Sequence, residues 1–142
     1  MVHRKNVLFV CIGNVCRSPM AEALARTYGP DVIMPKSAGL YPGNANSPLT
    51  RAVLKEKNIE LGNHQPCNFR DVDLTGMDLI INMSGYKLPA QFGIPVEDWT
   101  IRDPIGQSSE IYREVCADIE MLVMRLILRM RTGKFDSKAM NS

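Results

Sequence analysis

The stretch that decides the fold is VLFVCIGNVCRSPMAEALA, Val7 to Ala25. An apolar run of β-branched and aromatic residues is followed by a short loop opened by Cys11, and then by Arg17, Ser18 and Pro19 at the head of a helix. A loop that turns from a strand into a helix N-terminus can aim several backbone N–H groups at one point, where the helix dipole adds partial positive charge. Such a cradle suits a tetrahedral oxyanion, and residues 12–18 (Ile12, Gly13, Asn14, Val15, Cys16, Arg17, Ser18) are its candidate phosphate-binding segment. Arg17 offers a bidentate fork to two oxyanion oxygens, which a lysine cannot present as a planar pair. Cys11 sits in the same field, so its thiolate is favoured, and a thiolate facing a bound phosphoryl group is a nucleophile with its substrate already placed. Gly13 permits backbone conformations closed to other residues, and Asn14 tolerates the left-handed region.

A cysteine with an arginine six positions later arises by chance in roughly one chain in five. Requiring a serine next, an apolar strand before and a helix start after lowers that to about one in a hundred, so the compound pattern carries information that the spacing alone does not.

CIGNVCRSPMAEA, Cys11 to Ala23, closely resembles the signature of the low-molecular-weight protein tyrosine phosphatases. Ser37-Ala38-Gly39 and Asp103-Pro104 fall where that family has its SAG segment and its aspartate loop, and the resemblance runs from Asn6 to about Leu128. It implies Cys11 as nucleophile, Arg17 as phosphate binder, Asp103 as general acid, Asn14 and Ser18 as supports of the loop and thiolate, and Cys16 as a redox partner able to form a protecting disulfide with Cys11. It also implies a flavodoxin-like strand order, 2-1-3-4.

The bounds are those of one domain spanning 1–142, long enough to bury about 68–70% of its unfolded surface without a metal or disulfide. A net charge of +2, with no basic cluster interleaved with aromatics, argues against nucleic acid as a partner. Four cysteines without a signal peptide read as cytosolic thiols, and the apolar run from Val7 is too short to span a membrane, so a cytoplasmic location is expected. No metal and no cofactor are expected: His64 and Cys67 lie three apart, but no second pair stands at zinc spacing. His3 reads as a surface residue.

Along the chain, strand one covers Asn6–Val10 and reads as a central parallel strand, and helix one runs from Ser18 as N-cap to Tyr28, with Met20, Ala23 and Leu24 inward and Glu22–Arg26 as a solvated pair. Strand two covers Val32–Ser37. The Gly-, Pro- and Asn-rich loop Tyr41–Ser47 is expected beside the cradle, with Tyr41 a candidate for the pocket wall. Helix two starts at Ser47-Pro48 and reaches Lys57, with Leu49, Val53 and Ala52 inward. Phe69 and Leu74 anchor an irregular piece, Met77–Met83 is strand three, and Ser84–Phe92 is a helical or looped crossover. Val96–Ile101 is strand four, which delivers Asp103 to a carboxyl end, where open α/β sheets bind ligands. Glu110–Arg131 is the longest helix, with Ile111, Val115, Ile119, Leu122, Leu126 and Met130 at helical spacing and basic residues at its end; 132–142 is a polar tail expected to fray. The alternation predicts a single α/β domain: four parallel strands with helices on both faces.

The expected chemistry is hydrolysis of a phosphomonoester in two steps, with a phosphorylated protein, a small aryl phosphate or inorganic phosphate as partner. The family carries an aromatic residue after Asp-Pro, where it stacks on a phosphotyrosine ring; here that position is Ile105, the second candidate for the pocket rim. WTIRDP, Trp99 to Pro104, resembles instead the thiol-dependent arsenate reductases, which share the fold and the loop but place a cysteine pair after the third strand, where Met83–Arg102 has none. A non-catalytic phosphate- or phosphoprotein-binding module on the same scaffold is a third reading.

Overall fold

The computed structural model describes residues 3–88 and 93–133. It holds β1 (Lys5–Cys11), α1 (Arg17–Tyr28), β2 (Ile33–Gly39), α2 (Pro48–Glu56), a 3-10 turn at Phe69–Asp71, β3 (Leu79–Asn82), β4 (Val96–Asp98) and α3 (Ser109–Arg131). The four strands form one parallel sheet in the order β2-β1-β3-β4.

β1 lies at the centre because residues 7–11 are apolar on both sides, and all five are buried. β2 sits at an edge, where Pro35 lacks a donor without breaking a ladder on its outer side. β3 and β4 are shorter than the apolar runs 77–83 and 96–101 suggest. Just past these strands, the carbonyls of Met83 and Ile101 accept from Arg17.

Val7, Phe9 and Cys11 face one core cluster, which contains all three α-helices. Leu8 and Val10 face the other, where Phe69, Val72, Leu74 and Met77 supply the cover. Among the described residues the helical cover of this second face is the 3-10 turn, since the apolar residues of 69–77 lack a helical period.

Three details of the helices differ from the sequence reading. On α3, Tyr112, Cys116 and Val123 are buried at the centre of the face, whereas Ile111 and Leu122 lie at its edges. On α2, Ala52 is exposed, and Thr50 and Leu54 join Val53 inside. Glu22 does pair with Arg26, but it is not merely solvated, because the Ser37 hydroxyl also donates to it and ties α1 to β2. The polar end of α3 is used as well: Arg129 bonds the buried Glu97 at 3.0 Å, and the Trp99 indole donates to the same carboxylate at 2.6 Å, so β4 is pinned to α3 just before Asp103. The tail from 134 and the end of the crossover, 89–92, lie outside the described residues.

Candidate active site

The loop between β1 and α1 closes around the Cys11 sulfur. The amides of Asn14 and Ser18 donate to Sγ at 3.3 and 3.5 Å, and Ser18 Oγ lies 3.0 Å from it. Asn14 Nδ2 donates to Ser18 Oγ at 2.7 Å, so the serine oxygen is already an acceptor, and its one hydrogen is shared between the sulfur at 3.0 Å and the Ala38 carbonyl at 3.4 Å. Two backbone amides and one hydroxyl thus converge on the sulfur. Ser18 is thus not the helix cap: α1 starts at Arg17, its capping position is Cys16 with no side-chain cap bond, and the Ser18 side chain is spent on Cys11. The left-handed residue of the loop is Asn14, with φ 55°, and not Gly13. Its side chain is locked on both sides, since Oδ1 accepts from the Cys67 amide at 2.9 Å.

The orientation of the loop amides follows from where the loop carbonyls go. Cys11, Ile12 and Gly13 carbonyls accept from the amides of Leu40, Tyr41 and Gly43 at 3.1, 2.8 and 2.9 Å. The Val15 carbonyl accepts from the Thr50 hydroxyl at 2.9 Å. With the carbonyls drawn outward to the segment 40–50, the N–H groups point inward, and those of Gly13, Val15, Cys16 and Arg17 meet no acceptor among the described residues. Four amide donors at a helix N-terminus form an anion site.

Arg17 is buried at 4% exposure and is held from the far side of the sheet: Nη1 donates to Met83 O at 2.6 Å and to Ile101 O at 3.1 Å. Its Nη2 stands 3.5 Å from Asp103 Oδ2, whose side chain is 39% exposed. Asp103 Oδ1 accepts from the Ile105 amide at 3.1 Å, which fixes the carboxylate at the mouth of the site. The cavity so formed, about 160 Å³, is lined by the loop together with Arg17, Asp103 and Ile105. Tyr41 does not line it. That side chain is turned into a neighbouring groove, because its backbone amide is committed to Ile12 O and the loop carries the ring outward.

The chain belongs to the low molecular weight phosphotyrosine protein phosphatase family. The match spans residues 6–135. The chain is 33% identical over 144 residues to a protein-arginine-phosphatase of Geobacillus stearothermophilus, covering 89% of this chain and 96% of the relative. It is 32% identical over 130 residues to a glutaredoxin arsenate reductase of Synechocystis sp., covering 89% and 98%. Among solved structures, an arsenate reductase in the phosphate binding state superposes with a TM-score of 0.80 at 31% identity, covering 89% of this chain and 98% of that one. The family is one of cysteine-dependent enzymes, phosphatases and arsenate reductases, built on this α/β fold.

Two positions acquire a physical reason here that no local reading of the chain supplied. A Cβ on Gly39 would stand 2.7 Å from Ile12 O and 2.9 Å from Asn14 N, both backbone atoms of the cradle. Gly39→Ala is therefore expected to cost about 1–3 kcal/mol of stability and, by displacing the loop by a fraction of an ångström, to lower kcat/KM by roughly ten- to a hundredfold. Thermal denaturation and initial-rate measurements on the same preparation check it; unchanged rates would mean that the loop does not need its close contact with β2.

Tyr112 is the other. Its hydroxyl lies 2.9 Å from Ser47 Oγ and 3.4 Å from Cys16 Sγ, joining α3, the start of α2 and the cradle. Burial pushes the Cys16 thiol up, with the Tyr112 bond acting the other way, so Cys16 stays a neutral thiol at pH 7. Burial, and then the bond to Cys16, push the Tyr112 hydroxyl up to about 12. The sequence signal for Tyr112 was its place with Val115, Cys116 and Ile119 on one helical face.

Proposed function

We propose that the protein is a phosphomonoester hydrolase acting through a cysteinyl-phosphate intermediate, with a phosphotyrosyl protein or another aryl phosphate as substrate. The observation that carries this reading is the convergence on Cys11 of three donors to its sulfur, beside four amides without acceptors and the Arg17 guanidinium.

In the first step the Cys11 Sγ–P bond forms as the ester P–O bond breaks. The loop amides and Arg17 hold the non-bridging oxygens, and protonated Asp103 gives its proton to the leaving oxygen. In the second step Asp103, now a carboxylate, takes a proton from water while the water oxygen bonds to phosphorus and the S–P bond breaks, which frees phosphate and restores the thiolate. The cradle itself supplies the positive charge for both steps. Ile105 at the mouth gives an aliphatic rim in place of an aromatic one, so aryl rings are gripped by contact rather than by stacking.

A second reading, arsenate reduction, is favoured by the 32% identity to the Synechocystis protein. It needs a thiol to displace Cys11 from the arsenic adduct. Met83, whose carbonyl accepts from Arg17, is followed by Ser84 and Gly85, and Cys16 is the only other cysteine lining the pocket among the described residues. The lack of a cysteine in Met83–Arg102 weighs towards hydrolysis.

The test is metal-free release of phosphate from a small aryl phosphate by the wild-type protein between about pH 5 and pH 8, run beside arsenate reduction with a dithiol as electron donor. Phosphate turnover without arsenite formation is expected. Arsenite formation without phosphate turnover would overturn the phosphatase reading.

A further inference from the structure

A second concavity, about 510 Å³, opens beside the catalytic pocket. One wall is Leu40 and Tyr41 with Phe69 and Arg70; the other is Tyr86 and Lys87. Both walls are bonded to the catalytic apparatus. The amides of Leu40 and Tyr41 donate to the cradle carbonyls of Cys11 and Ile12, and the opposite wall follows directly on Met83, whose carbonyl holds Arg17. That wall is stiff: Asn82 Nδ2 donates to Tyr86 O at 2.7 Å, and the Tyr86 amide donates to Ser84 Oγ at 3.1 Å.

The chemistry of the groove is specific. The two tyrosines are 75% and 60% exposed, although large aromatics are ordinarily covered. Arg70 and Lys87 line it with no carboxylate, and neither makes an ion pair among the described residues, whereas the cations Arg26, Lys57, Arg102, Arg113, Arg129 and Arg131 all do. Asp73 lines the larger continuation of the groove, which shares Leu40, Phe69, Arg70 and Leu88 with it, and not the groove itself. The catalytic pocket, at about 160 Å³, accommodates a phosphoryl group and its first substituent, so the rest of a protein substrate must lie on the surface outside it.

We infer that this groove binds the chain flanking the phosphorylated residue, and that the flank it selects is acidic: carboxylates pair with Arg70 and Lys87 while the peptide packs on the Tyr41 and Tyr86 rings. The inference rests on the phosphatase reading and adds the substrate class. Rim charges act mainly on encounter and selection, and each exposed pair contributes modestly.

The experiment uses two labelled phosphotyrosyl peptides of equal length, one flanked by Asp and Glu and one by Lys and Arg. Binding is read by fluorescence anisotropy on the Cys11→Ser protein, so that turnover is not required. The acidic peptide is expected to bind roughly five- to tenfold tighter at low salt, with the preference shrinking as ionic strength rises. Adding Arg70→Ala and Lys87→Ala should remove the preference, and Arg70→Glu with Lys87→Glu should reverse it. Equal binding of the two peptides, or variants that weaken both alike, would overturn the inference. Aryl phosphate turnover by the wild-type protein reports separately on the phosphatase reading: selectivity for the acidic peptide without any such turnover leaves the groove standing and removes the hydrolase.

Discussion

Cys11→Ser is expected to abolish aryl phosphate hydrolysis, with a loss of at least about 10⁴-fold, while phosphate binding survives. The two effects separate because different groups carry them. Binding belongs to the amides of Gly13, Val15, Cys16 and Arg17 and to the Arg17 guanidinium, none of which the substitution touches. Attack on phosphorus belongs to the sulfur. The donors stand 3.0 to 3.5 Å from it, spacings that suit the large radius of sulfur. A serine oxygen at the same place is smaller, shorter-bonded and a far weaker nucleophile. Initial rates, with phosphate titration by calorimetry on the same variant, check both halves. Turnover within tenfold of wild type would place the nucleophile elsewhere; loss of phosphate binding would mean that the sulfur helps to build the cradle.

Asp103→Asn is expected to lower kcat by about 10²- to 10⁴-fold for esters with poor leaving groups and by less than about tenfold for an activated aryl phosphate. Asparagine keeps the shape and the Ile105 bond to its side-chain oxygen, so the loop geometry is retained. What is lost is the proton, and an oxygen that leaves readily as an anion needs it least. The 3.5 Å contact with Arg17 also goes, but with Asp103 39% exposed and the guanidinium still held by Met83 and Ile101 carbonyls, that loss has a small effect on the fold. The measurement is the dependence of rate on leaving-group acidity, which should steepen in the variant. A uniform loss across all esters would assign Asp103 to holding Arg17 rather than to proton transfer.

Much of the site was legible because it is local. Residues 11–18 carry the nucleophile, its donors, the arginine and the helix start within one turn of chain, and the strand-loop-helix order dictates the direction of the amides. Even there, the residue pattern alone made Ser18 a helix cap, and only the resemblance tied it to the sulfur, because a serine before a proline has the same signature whether its hydroxyl caps a helix or serves a buried sulfur. The outward pull on the loop carbonyls was not legible: it comes from residues 40–50, in a stretch whose Gly, Pro and Asn content says only that it turns. Gly39 was visible only as part of a family segment, since its need is a steric one against atoms 25 and more residues away in sequence.

The sequence by itself determined the parallel sheet, its order through the family resemblance, the strand-loop-helix cradle and the candidate residues Cys11, Arg17 and Asp103. These depend on short-range pattern: apolar runs of strand length, a helical stripe on α3, and one compact motif. The tertiary structure alone decided what surrounds that motif. It put Ile105 at the pocket mouth and turned Tyr41 away, laid the 3-10 turn on the second face of the sheet, and joined Tyr112 to Cys16 across 96 positions. It also placed Arg70 and Lys87 on one groove, neither in an ion pair among the described residues. Side-chain contacts between distant segments follow from how the elements pack, and packing leaves no periodic trace in a single chain.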